Sequence, residues 1–172
     1  MRLGDRIAMM RDGRIVQVAT AQEMLTRPAD DYVARFVRDV DRTRVLTASE
    51  VMSPAEITVT TADSPAQARE TMRRNELSGV LVTEDARFAG ALSVSAVTEA
   101  AENGAKTIAE AVDRNAARTA PDTLMADLFG SAASAPAPLA VVGKEDALLG
   151  QITREALLTV LSAGENEVRS HD

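Results

Sequence analysis

Groups able to do chemistry are sparse in this 172-residue chain. It has no cysteine, which removes disulfides, thiolate nucleophiles and thiolate metal sites. Its one histidine, His171, stands near acids in a polar tail, where a disordered end outweighs a metal ligand. Neighbouring carboxylates occur at Glu84-Asp85 and Glu145-Asp146, both in predicted turns. With no pocket residue beside them, such acids serve solvation rather than acid–base chemistry. Arg69, Arg73 and Arg74 share a predicted helix with Glu70, and Glu70–Arg74 is an ordinary i,i+4 pair. That reads as a solvated face before a lipid-headgroup patch. Arg35, Arg38 and Arg42 recur at helical spacing and could meet an acidic partner surface. Ser93 and Thr153 each follow a glycine by three residues and open a predicted helix, where a hydroxyl caps backbone N–H groups. No nucleophile–base pair and no metal cluster emerges, so the residues give no enzyme reading.

The elements that carry these groups can be read from turns, caps and periodicity. Ile7–Met10 and Ile15–Val18 flank Asp12-Gly13, the strongest short signal for a hairpin. Thr20 and Glu23 make a capping box for a short helix ended by Pro28. Asp30 to Val40 reads as a second helix with Tyr32, Phe36, Val37 and Val40 on one side. A hairpin and a short helical pair cannot bury an apolar face alone, so this segment reads as the end of a larger domain. Arg42-Thr43-Arg44 reads as a linker.

A pattern then appears twice. The first copy runs from strand Ile57-Thr58-Val59 through a helix opened by Ser64-Pro65, with Ala68 and Met72 on its apolar face. Strand Val80–Val82, a turn, and strand Gly90–Ser93 follow, leading into a helix near Ser95. The second begins near Arg118-Thr119, with Asp122-Thr123 capping a helix that carries Leu124 and Leu128. Strand Leu139–Val142 and Gly150–Thr153 lead into a helix from Arg154 to Leu161, stopped by Gly164. Ser64 to Thr123 spans 59 residues; Gly90 to Gly150 and Ser93 to Thr153 each span 60. The spacing predicts an α/β (α+β) pair of β-α-β-β-α repeats, each too small to stand alone.

Composition agrees. The core must come from Val, Leu, Ile, Met and Ala, because only three Phe and one Tyr are present. No segment approaches about 20 uninterrupted apolar residues, so membrane contact would go through a partner. The net charge of −7 divides into +1 over residues 1–50 and −8 over residues 51–172. An acidic surface without basic and aromatic residues interleaved argues against nucleic acid.

Val80 to Ser93 and Leu139 to Thr153 resemble the cystathionine-β-synthase (CBS) domain signature, an apolar strand, a turn, and Gly-x-x-Ser/Thr entering a helix. Gly4-Asp5-Arg6-Ile7-Ala8-Met9-Met10 and Phe36 through Leu46 resemble the end of the nucleotide-binding domain in glycine betaine/proline ABC importers, and its join to a CBS pair. The boundaries implied are 1–44 for that remnant and linker, 45–113 for the first CBS domain, 114–164 for the second and 165–172 for a tail. No Walker A, Walker B, signature motif or switch histidine is present, so the resemblance implies an excised piece or truncated reading frame that does not hydrolyse ATP.

The resemblance implies a regulatory module of an osmoprotectant importer ATPase, cytoplasmic and peripheral to the inner face of the plasma membrane. It would gate transport by ionic strength, by an adenine nucleotide, or by both. Its partners would be the permease, a second ATPase subunit and another CBS pair. A free-standing nucleotide sensor and a purely structural dimerisation domain are the alternatives. Leu157, Leu158, Val160 and Leu161 form a run wider than one packing stripe, which motivates the dimer. The implied cleft comprises Thr58, Ser78, Gly79, Val80 and Ser93 from the first copy, and Thr119, Ala137, Pro138, Leu139, Thr153 and Arg154 from the second. In the family an Asp three residues after the Ser/Thr holds the ribose hydroxyls; here those positions are Ala96 and Ala156. Losing such a charge-assisted bond costs roughly 1.5–3 kcal/mol, so AMP, ATP or cyclic di-AMP would bind weakly.

Overall fold

The computed structural model describes residues 6–166, leaving His171, Gly4, Asp5 and the last residues of the tail outside the described residues. Two compact units result: one reaching Leu46 and taking in the end of the last helix from Leu158, the other Thr47–Leu157.

In the first unit β1 (Ile7–Arg11) and β2 (Arg14–Ala19) form an antiparallel hairpin. Both turn residues take positive φ, Asp12 at 50° and Gly13 at 74°, as a two-residue turn of this hand requires. α1 (Ala21–Thr26) starts at the Thr20–Glu23 capping box. α2 (Asp31–Val37) is capped by the Asp30 carboxylate on the amides of Tyr32 and Val33. Met9, Ala19, Met24, Leu25, Val33 and Val37 make the core. α2 is shorter than the predicted Asp30–Val40 helix and buries a different face. Val33 and Val37, one turn apart, face the core, while Phe36 is 64% exposed. Val40 lies beyond the helix, where the chain has turned at Arg38. Arg42–Arg44 is a 3-10 turn capped by Asp41.

The second unit holds both repeats except the end of their last helix, from Leu158 on. α3 (Ala48–Val51) leads to β3 (Thr58–Thr60), α4 (Pro65–Arg74), β4 (Gly79–Glu84), β5 (Arg87–Ser93) and α5 (Val94–Glu102). β6 (Arg118–Thr119), α6 (Phe129–Ser134), β7 (Leu139–Val142), β8 (Leu148–Ile152) and α7 (Arg154–Asn166) repeat the order. Each sheet has three strands, its first parallel and its third antiparallel to the middle one. Gly79–Val82 and Leu139–Val142 are buried throughout, as middle strands covered on both faces must be. Val80 and Val82 face a core with Ala68, Met72 and Val97. Leu81, Phe88 and Ala91 instead meet Ala140 and Val142, so the two sheets pack on each other through small side chains.

The segments preceding each repeat are exchanged. The Ala48 amide bonds the Thr123 carbonyl (2.8 Å), and sixty residues on, the Ile108 amide bonds the Asp63 carbonyl (2.9 Å). Ser53 bridges Gln151, and its counterpart Asp113 bridges Ala91, the counterpart of Gln151. Each lead-in therefore completes the other repeat's sheet. Gly90 and Gly150 make this crossing possible: a Cβ on Gly90 would collide with the Asp113 carbonyl oxygen, and one on Gly150 would lie 2.7 Å from that of Ser53.

Two further expectations are corrected. Asp122-Thr123 caps no helix: a 3-10 turn spans Met125–Asp127 and α6 begins only at Phe129. The strict 60-residue register puts Leu124, not Thr123, opposite the Ser64 cap, and Leu124 has no side-chain oxygen to offer the exposed amides. Gly164 does not end α7, which runs on to Asn166; a glycine inside a helix costs only about 1 kcal/mol relative to alanine.

Candidate functional site

Seven of the eleven residues expected to line a cleft lie together at the head of α7. A cavity of about 220 Å³ is lined there by the loop before β4, the end of α6, the loop before β7, and residues 152–155. It brings together Ser78, Gly79, Ala137, Pro138, Leu139, Thr153 and Arg154. Its volume falls below the roughly 300–1,000 Å³ usual for small-molecule sites. A second cavity of about 270 Å³ shares the Ala135–Pro138 segment and is lined also by Ala91, Asp113 and Asn115–Ala117.

The close approach of the repeats at this point depends on Gly79. A side-chain carbon there would run into the Pro136 carbonyl oxygen. That carbonyl accepts the Ser78 hydroxyl at 3.4 Å. The Pro136-Ala137-Pro138 run keeps the loop extended and offers no amide at either proline.

The remaining expected residues lie elsewhere. Thr58 pairs with Leu81 on β3, and Thr119 sits on β6 with its hydroxyl toward the Ala120 carbonyl. Val80 is 1% exposed, packed in the first repeat's core. Ser93 caps α5, accepting the Ala96 amide at 3.2 Å, and its hydroxyl lies 2.9 Å from that of Ser95.

Thr153 caps α7 in the same manner, accepting the Ala156 amide at 3.2 Å. Arg154 is committed as well: its guanidinium donates to the carbonyls of Ala132 (3.3 Å), Ala133 (3.3 Å) and Ala135 (2.6 Å). These are the carbonyls that the end of α6 leaves without helical partners, so Arg154 acts as a clamp on that helix.

Glu155 and Glu76 also line the cleft, and sequence reasoning passed over both. Glu155 is in the first turn of α7. Its own backbone N–H and then the Thr153 hydroxyl hold its carboxylate below the usual pKa, with Arg154 adding attraction. An acid two residues after a capping Thr was the available signal. Glu76 ends α4 in the left-handed region, at φ 53°. Among the described residues no group of three or more acids and histidines could hold a metal. None of their helices is long and apolar enough to cross a membrane.

Comparison with known proteins agrees with this architecture. Residues 48–103 match the CBS domain family. The chain is 34% identical over 171 residues to the glycine betaine/carnitine transport ATP-binding protein GbuA of Listeria monocytogenes, covering 99% of this chain and 43% of that protein. It is also 34% identical over 168 residues to the glycine betaine transport ATP-binding protein OpuAA of Bacillus subtilis, covering 97% and 40%. The chain thus spans less than half the length of these relatives. CbpB, crystallised with c-di-AMP, superposes with a TM-score of 0.69 at 16% identity, over 81% of this chain and 99% of that one. CBSX2, crystallised with AMP, gives 0.60 at 18%, over 69% and 98%. The fold is a tandem CBS pair, and the chain is homologous along almost its whole length to ATP-binding subunits of glycine betaine transporters.

Proposed function

We propose that this chain is the regulatory region of such a subunit: a CBS pair that restrains transport of glycine betaine or a related quaternary amine at low ionic strength and releases it at high. The similarity of the whole chain to two betaine-transport ATP-binding proteins carries the reading. In this reading residues 1–44 close the ATPase domain, residues 45–113 and 114–164 are the two CBS domains, and residues 165–172 are a tail. The module sits on the cytoplasmic side, peripheral to the membrane. It works beside the permease and a second ATPase subunit, and pairs with the CBS domains of that subunit. Leu158 and Leu161, 63% and 41% exposed on α7, favour such pairing, although Leu157 faces inward.

A physical route for salt lies between the repeats. Arg87 of the first meets Glu145 of the second at 3.0 Å, and Arg114 of the second lies 3.9 Å from Glu84 of the first. All four side chains are more than half exposed, so salt weakens these contacts directly. The cleft at α7 supplies a second input, an adenine compound held weakly because Ala96 and Ala156 offer no carboxylate to a ribose. The purely structural alternative draws support from Ser93, Thr153 and Arg154, whose polar groups all serve helix ends.

Uptake of labelled glycine betaine in cells tests the reading. Cells whose full-length subunit lacks residues 47–157 should accumulate it equally in dilute and salty medium. Uptake that still rises with salt would reject a regulatory role for the pair.

A further inference from the structure

The geometry points to Glu155 as the residue that sets the ligand class of the α7 cleft: it places the chain's own carboxylate at the anion position, so the cleft takes an uncharged or cationic adenine compound and turns phosphate esters away. This inference rests on the reading that the cleft binds an adenine compound.

A phosphate at a helix head needs free backbone N–H groups, a hydroxyl donor and a nearby cation. Here each is already used. Glu155 lines the cavity in the first turn of α7, where the helix head and Thr153 favour its charged form, and the Thr153 oxygen accepts the Ala156 amide. Arg154 is the one cation among the lining residues, and three α6 carbonyls hold its guanidinium. Glu76 adds a second acid to the same cavity. An arriving phosphate would therefore meet two carboxylates and a cation turned elsewhere, the arrangement by which a site rejects a partner it resembles. The first repeat supplies an internal contrast. In the 60-residue register Glu155 corresponds to Ser95, whose hydroxyl lies beside that of Ser93 with no acid at that position. The two helix heads are alike in cap, but only that of α7 carries an acid, so the two repeats are not equivalent as ligand sites.

Isothermal calorimetry with adenosine and AMP on the full chain, Glu155→Gln and Glu155→Ser tests this. Glu155 is exposed, so both substitutions leave the core untouched, and serine reproduces the first repeat. The wild-type chain should bind adenosine at least as tightly as AMP. Both substitutions should raise AMP affinity about tenfold or more, the value of a recovered charge-assisted hydrogen bond, and leave adenosine unchanged. An AMP preference in the wild type that survives both substitutions would overturn the role of Glu155 and leave the adenine-binding reading standing. If neither ligand binds any of the three proteins, both ideas fall.

Discussion

At the scale of single residues, charge is used mainly to finish helices. Glu70 on α4 receives Arg73 at 2.9 Å through both Nε and an Nη, and Arg74 at 2.7 Å. The two guanidinium groups hold its pKa down from 4.5 to about 2. The folded state thus binds a proton less readily than the unfolded chain, and the pairing stabilises the fold above the unfolded pKa. That contribution fades as pH falls from about 4.5 toward 2. Glu70→Gln should therefore melt slightly below the wild type at pH 7, by the small amount an exposed pair contributes, and converge with it as pH falls through that window. Thermal melts of both proteins from pH 7 to pH 2 check this; parallel curves through the acid range would show that the pairing is not formed. Arg154 shows the same economy of use. It lines the cavity at the head of α7, but only the structure shows three carbonyls of α6 claiming its donors. No local pattern links a residue at the head of one helix to the end of another some twenty positions earlier.

At the scale of elements, the exchange of lead-in segments explains why two glycines recur at a fixed interval. Gly90 has φ 145°, and the Asp113 backbone crosses where its side chain would stand. Gly90→Ala should therefore destabilise the fold by about 1–3 kcal/mol, from strain and overpacking together. Gly13→Ala, with φ 74° but open space around it, should cost less. Urea denaturation of the two variants gives the comparison, and equal midpoints would argue against the exchange. Much of this level was legible: the Asp12-Gly13 hairpin, the Thr20 and Ser64 caps, and middle strands apolar without interruption all announce themselves locally. The exchange did not, because hydrogen bonds such as Ala48 to Thr123 join positions 75 apart with no side-chain signature. The second repeat's first helix was misread for a related reason. Thr123 looks like a cap in isolation, yet the register set by the strands gives that place to Leu124, and the turn opens as a 3-10 turn instead.

At the scale of the whole molecule, the acid excess lies on the CBS pair, −8 over residues 51–172 against +1 over residues 1–50. The reach of exposed charges shrinks from about 30 Å at 0.01 M salt to about 8 Å at 0.15 M. Each exposed pair contributes only about 0–1 kcal/mol, so several must weaken together to move a two-state equilibrium. In the proposed gate that weakening would fall on the two inter-repeat pairs and on contacts of the acidic surface with basic partner groups. The central claim is that this region sets the salt threshold of its transporter. The most direct measurement is glycine betaine transport by the full-length transporter in lipid vesicles, as a function of internal salt, with the ATP-binding subunit intact or cut after Val45. The account predicts that the intact transporter is quiet at low salt and switches on as salt rises, while the cut one runs at low salt with no threshold. The same activation curve for both would contradict it.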